Sequence, residues 1–231
     1  MLKITEDFLI NNYKISDRAL EIYRQALNDI EKDLKLYDDI REFNQLKVLK
    51  AFQEERISDS HFTNTTGYGL DDMGRDALDK VYARIFKTEA ALVRHNFVSG
   101  THAIGAAIIG NVRPKDKILC VSGKPYDTLL GVLGLSEKKN PGSLDEYDIK
   151  TDIIDLDNEG HFKFEDIREA LKNDSSYKLI HIQRSTGYAS RKSFLVSQIE
   201  EVIKVIREVR KDILIFVDNC YGEFIETIEP T

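Results

Sequence analysis

A chain of 231 residues, 42% hydrophobic and 32% charged, is long enough to bury a core without disulfide or metal support. Its 33 basic and 40 acidic side chains give a formal charge of −7, which offers nucleic acid and anionic lipid no global attraction. No apolar run approaches the roughly 20 residues of a membrane span.

In chain order, residues 1–57 hold neither glycine nor proline and read as a helical arm. Ile15, Ala19, Ile22, Ala26, Ile30, Leu34 and Tyr37 fall at helical spacing behind a candidate N-cap, Ser16. A second stretch continues through Ile40, Phe43, Leu46, Leu49, Ala51 and Phe52. The a/d spacing is too irregular for a coiled coil, so the arm is expected to pack on the main domain or on a partner subunit. The first residues, MLKITEDFLI, carry acids at once rather than a cleavable apolar segment, which sets the expectation of a cytoplasmic protein.

Residues 58–231 read as the main domain. His61 to Gly74 (HFTNTTGYGLDDMG) has loop chemistry, and a helix through Ala77, Val81 and Ile85 follows. A short apolar segment, Ala91–Val93, leads to Val98 and a helix containing Ile104 and Ile108. The remainder alternates. Strands are expected at 118–121, 149–156, 179–182 and 214–217, and helices at 126–135, 164–171 and 199–209, the last behind a Ser197/Glu200 capping box. Short apolar strands separated by helices predict an α/β fold, a mostly parallel sheet with helices on both faces. Cys120 and Cys220 lie inside apolar runs and are expected to be two buried, reduced thiols.

Ligands of such sheets sit beyond the carboxyl ends of the strands. Four segments fall there. Ser99, Gly100 and Thr101 open a helix, where free N–H groups suit an anion, although the same pattern serves a plain cap. Tyr126 stands at a helix start, where its face is free to stack on a planar ligand, and the nearby Lys124 reads as a surface lysine. Gln183, Arg184 and Ser185 leave a buried strand with hydrogen-bonding side chains. Asp218 ends an apolar strand, a costly place for a carboxylate without a partner. His61, His95, His102, His161 and His181 form no metal-ligand motif, and there is no GxSxG elbow, Walker A or GxGxxG sequence.

The segments FVSGTHAIGAAIIGNVRP, SGKPYDTL, GSLDEYDI, HIQRSTGYASR and FVDNCYGEFIETIEPT together resemble the methionine gamma-lyase-like, aluminium-resistance-associated family. That family consists of pyridoxal 5'-phosphate proteins of the aspartate aminotransferase fold (fold type I). The resemblance implies that Gly100 and Thr101, with Ser99, bind the cofactor phosphate. It implies that Tyr126 stacks on the pyridine and that Asp218 pairs with the pyridine nitrogen. It implies that Gln183, with Arg184 or Ser185, meets the ring oxygen or the amino-acid substrate. Tyr68 and Arg75 resemble residues that reach the phosphate of a neighbouring subunit in a homodimer or homotetramer. The implied activity is a carbon–sulfur lyase acting on a sulfur amino acid. The family's Schiff-base lysine follows the aspartate, yet no lysine occurs in the 13 residues after Asp218. The expectation is therefore a fragment, 58–231 being an incomplete cofactor-binding large domain, without lyase activity by itself. A non-catalytic binding or regulatory protein built on half of the fold is the alternative.

Overall fold

Period-two sorting of apolar side chains builds the centre of the molecule. The computed structural model describes residues 3–66, 68, 72–137 and 141–231. Strands β1 (Lys117–Cys120), β2 (Lys150–Ile153), β3 (Tyr177–Gln183) and β4 (Leu214–Asp218) pair in the order β2-β1-β3-β4, and every pairing is parallel. The register sets Cys120 opposite His181, His181 opposite Phe216, and Gln183 opposite Asp218. Alternation sends Leu119, Val121, Ile180 and Ile182 to one face, where they meet Ile167, Leu171, Ile199, Val202 and Ile206. Those five come from helices α7 (Phe164–Asn173) and α8 (Val196–Val209). Ile118, Cys120 and Leu179 face the other way, against Ile108 of α5 (Gly100–Asn111) and Leu129 and Leu133 of α6 (Asp127–Leu133). Burial on both faces is the reason the central strands β1 and β3 read as nearly continuous apolar runs, while the edge strand β2, KTDI, is mostly polar.

The N-terminal region forms α1 (Lys3–Tyr13), α2 (Asp17–Asp29) and α3 (Glu31–Glu54), followed by α4 (Met73–Phe86). Ser16 caps α2 as expected, its Oγ accepting the Ala19 N–H at 3.3 Å. Val48 and Ala51 of α3 meet Val81 and Ile85 of α4 in a small separate apolar cluster. Asn44 ties α3 to the C-terminal segment by donating to the carbonyls of Phe224 and Glu226, each at 3.0 Å. No described helix is long and apolar enough to cross a membrane.

Several expectations need correction. The first helical stretch, expected to run on to Tyr37, is interrupted at Ile30, a residue whose apolar side chain continues the periodic pattern. The segment that ends at Val98 is irregular chain, so the Ser99–Thr101 segment follows no strand. Strand β2 ends at Ile153, short of the expected 149–156; residues 154–157 are irregular chain that leads into a turn closed by the Gly160 N–H on the Asp157 carbonyl at 3.1 Å. The Ser197/Glu200 pair lies inside α8; Leu195 occupies the N-cap, and the Gln198 side chain accepts its N–H at 2.9 Å. The first turn of the expected 61–74 loop is a 3-10 helix, Asp59–Phe62. Of the two thiols, both free, Cys120 is buried but Cys220 is exposed, since β4 ends two residues before it.

Candidate functional site

The carboxyl ends of β3 and β4 and the N-termini of α5 and α6 surround one cavity of about 200 Å³. Its lining includes Gly100, Thr101, Tyr126, Ser185 and Asp218, which the sequence distributes over 119 positions, 218 minus 99. Thr128, Gly187, Cys220 and Tyr221 complete much of the wall.

The α5 end of the cavity is suited to an anion. Ser99 Oγ is committed to the cap, accepting the His102 N–H at 3.1 Å, and lines an adjoining open groove rather than this cavity. The N–H groups of Gly100 and Thr101 precede the first intrahelical bond and keep the unpaired character of a helix start. A Cβ placed on Gly100 would meet nothing within 4 Å, so the approach to that backbone is open. Thr101 Oγ1 and Thr128 Oγ1 share a hydrogen bond of 2.6 Å that joins the starts of the two helices.

Tyr126 occupies the N-cap of α6. Its backbone N–H donates to Gln183 Oε1 at 2.7 Å, while Gln183 Nε2 donates to the Ser185 carbonyl at 3.1 Å. Gln183 is itself buried, its own N–H bonded to Ser122 Oγ at 2.8 Å. Its side chain is thus used within the protein, bracing Tyr126 and Ser185 from below. Lys124 is exposed and does not line the cavity.

Asp218 supplies the opposite wall. It is buried, and its Oδ1 accepts the Cys220 N–H at 3.0 Å. Among the described residues no cationic side chain pairs with it. Burial first, then the nearby Glu223 charge, pushes its carboxyl above the usual carboxylate range despite that bond. A buried carboxylate facing a cavity without a counter-charge fits a ligand that brings its own positive group. Together with the open helix start and the aromatic plate, this donor set fits a phosphorylated pyridinium.

Arg184 does not line this cavity, although it borders a neighbouring one. Successive residues of a strand point to opposite faces, so Arg184 turns away from the side that Gln183 serves. Its fully buried guanidinium donates to the carbonyls of Phe194 (3.0 Å) and Gly222 (2.8 Å), to Asn219 Oδ1 (2.8 Å) and to Glu226. It knits the loop after β4 to the start of α8. Tyr68 is exposed and Arg75 is ion-paired with Asp72 at 2.9 Å; neither lines the cavity. Thr128, Gly187 and Tyr221 fall inside the loop segments that follow the strands in sequence but carry no individual signal there, and Tyr188 falls one residue beyond such a segment.

A parallel sheet carrying these groups at its carboxyl edge defines the large domain of the fold type I pyridoxal-phosphate proteins. The methionine gamma-lyase family model matches residues 19–231, and the chain belongs to that family. A candidate cystathionine beta-lyase involved in aluminum resistance from Clostridium acetobutylicum is 57% identical, with a TM-score of 0.94 over 100% of this chain and 55% of that one. A carbon-sulfur lyase involved in aluminum resistance from Clostridium novyi NT is 54% identical, with a TM-score of 0.93 over 100% of this chain and 54% of that one. YnbB, an uncharacterized protein of Bacillus subtilis, is 42% identical over 91% of this chain and 50% of its own length. The chain spans about half the length of these relatives.

Proposed function

We propose that the chain supplies the cofactor-holding part of a pyridoxal-phosphate-dependent carbon–sulfur lyase that acts on a sulfur amino acid. The observation that carries this reading is Asp218: a buried carboxylate at the end of β4, facing a cavity to which no described residue contributes a cationic side chain. When bound, pyridoxal phosphate supplies an electron sink for a carbanion at the substrate's alpha carbon. Asp218 would keep the proton on the ring nitrogen and so keep that sink effective. The N–H groups of Gly100 and Thr101, with the hydroxyls of Thr101 and Thr128, would bind the phosphate, and Ser99 would hold the helix start that presents them. Tyr126 would cover one ring face. Ser185 would meet the ring oxygen or the substrate, with Gln183 bracing it. Tyr68 and Arg75, which lie away from this cavity, would serve the phosphate of a second subunit in a homodimer or homotetramer.

A second reading has its own observation: among the described residues, none that lines the cavity is a lysine. The amine that would hold the cofactor covalently and move the alpha proton is not supplied by this wall. The 231 residues alone would then bind the cofactor without turning over a substrate. An absorbance titration of the purified chain with pyridoxal phosphate, followed by borohydride reduction and peptide mapping, tests both readings. Saturable binding that Asp218→Asn and Tyr126→Ala weaken, with no lysine labelled stoichiometrically, is the expected result. Binding indifferent to both substitutions would overturn the site, and stoichiometric labelling of Lys124 with turnover would overturn the second reading.

A further inference from the structure

Tyr126 lines two cavities. One is that of Thr101 and Asp218; the other is a neighbouring cavity of about 320 Å³ lined by Arg184, Thr186, Tyr188 and Ser193 among others. Tyr188 lines only the second cavity, and its ring stacks on that of Tyr126 with centroids 5.5 Å apart and planes 29° from parallel. The Tyr126 hydroxyl donates to the Tyr188 hydroxyl at 3.3 Å. Tyr188 is 83% exposed, so no apolar core accounts for its place.

The backbone around Tyr188 is fixed with some care. Gly187 has φ +57°, and a Cβ there would lie 3.1 Å from Gln183 Nε2 and 3.4 Å from Tyr126 Cδ2. Only a residue without a side chain takes both that backbone conformation and that approach cheaply. Arg191 Nη2 donates to the carbonyls of Gln183 (3.0 Å) and Ser185 (2.5 Å), while its guanidinium lies 4.7 Å from the Phe194 ring centre. The Ala189 N–H donates to the Thr186 carbonyl at 3.1 Å and closes the turn that carries Tyr188. An otherwise exposed ring is thus delivered onto Tyr126 from the cavity that Tyr188 lines.

We infer that Tyr188 is a positioning residue for the cofactor site: it backs the Tyr126 ring and holds it in the plane a bound pyridine requires. The inference rests on the reading of Tyr126 as the plate over the cofactor. An unbacked tyrosine ring at a cavity mouth samples several χ1 and χ2 settings, and a stacked partner removes most of them. Cofactor affinity then depends on Tyr188 only through Tyr126.

The test is a double-mutant cycle on the 231-residue chain, read as pyridoxal-phosphate affinity by absorbance titration. Tyr188→Ala is expected to weaken binding about two- to tenfold, the range of an aromatic pair, and to add nothing once Tyr126→Ala is present. Tyr188→Phe keeps the stacked face and is expected to restore most of the affinity. Near-ultraviolet circular dichroism should lose the tyrosine-pair signal in Tyr188→Ala and keep an aromatic-pair signal in Tyr188→Phe. Far-ultraviolet spectra establish that each variant is folded; if Tyr188→Ala is not, Tyr188→Leu replaces it. An effect of Tyr188 that is absent, or that persists undiminished in the Tyr126→Ala background, overturns the inference. Tyr126→Ala leaving affinity unchanged would instead overturn the reading of Tyr126, and the positioning role with it.

Discussion

Gln183 Oε1 accepts the backbone N–H of Tyr126 at 2.7 Å, joining the end of β3 to the start of α6 across 57 positions of sequence. One amide therefore sets the height of the aromatic plate and, through its Nε2, the path of the loop at Ser185. The side chain is 4% exposed, so no bulk water replaces either bond if it is lost.

Replacing Gln183 by Met keeps the volume and removes both hydrogen bonds. The expected loss of stability is about 1–3 kcal/mol, the cost of leaving buried polar groups unpaired. Urea unfolding checks it, and pyridoxal-phosphate affinity should fall in the same variant because Tyr126 and Ser185 lose a common brace.

Asp218 is expected to act with opposite signs on stability and on binding. Burial raises its carboxyl above the usual range, so the folded chain takes up this proton at a higher pH than the unfolded chain does. Its contribution therefore favours folding at low pH and is lost as pH rises through the folded value. At neutral pH Asp218→Asn, which keeps an oxygen for the Cys220 N–H, should raise the unfolding midpoint of the cofactor-free chain. The same substitution should weaken pyridoxal-phosphate binding roughly 10- to 100-fold by removing a charge-assisted bond. Thermal melts with and without cofactor separate the two effects.

His181 gives the protein an acid weakness away from the site. It is fully buried in β3, stacks on Phe216 with centroids 5.8 Å apart, and among the described residues has no hydrogen-bond partner at either ring nitrogen. Burial lowers it from 6.5 to about 4. Between those values the unfolded chain binds a proton that the folded chain does not, so stability is full above the upper value and falls as pH drops towards the lower one. The total is on the order of 3 kcal/mol. His181→Phe should flatten this part of the pH–stability profile, measured by urea unfolding at a series of pH values.

The sheet was legible in the sequence because burial on both faces writes strands as short apolar runs, and turn chemistry separates them. Thr101, Tyr126 and Asp218 were legible because each stands where a run or a helix begins or ends. Arg184 was not, since adjacent strand residues face opposite ways and a polar string such as Gln183–Arg184–Ser185 does not say which residue faces the cavity. Tyr188 was hidden for a different reason. Its role depends on a loop path set by Gly187 and Arg191, and a tyrosine among serines and glycines has no periodicity to announce it. The break at Ile30 likewise carries no glycine or proline signal.

The carboxylate that would recognise the cofactor rides on a strand hydrogen-bonded to one neighbour, since β4 pairs with β3 alone among the described residues. Ile215, Phe216 and Val217 are correspondingly only half-buried. Amide protons along 214–218 should exchange with solvent well before those of β1 and β3, through openings that leave the rest of the sheet intact. Each such opening removes Asp218 from the cavity, so a ligand held there competes directly with fraying of the strand. Occupancy of the cavity then sets the lifetime of the β4 edge, and slower deuterium uptake at five residues would report ligand binding without any change in absorbance.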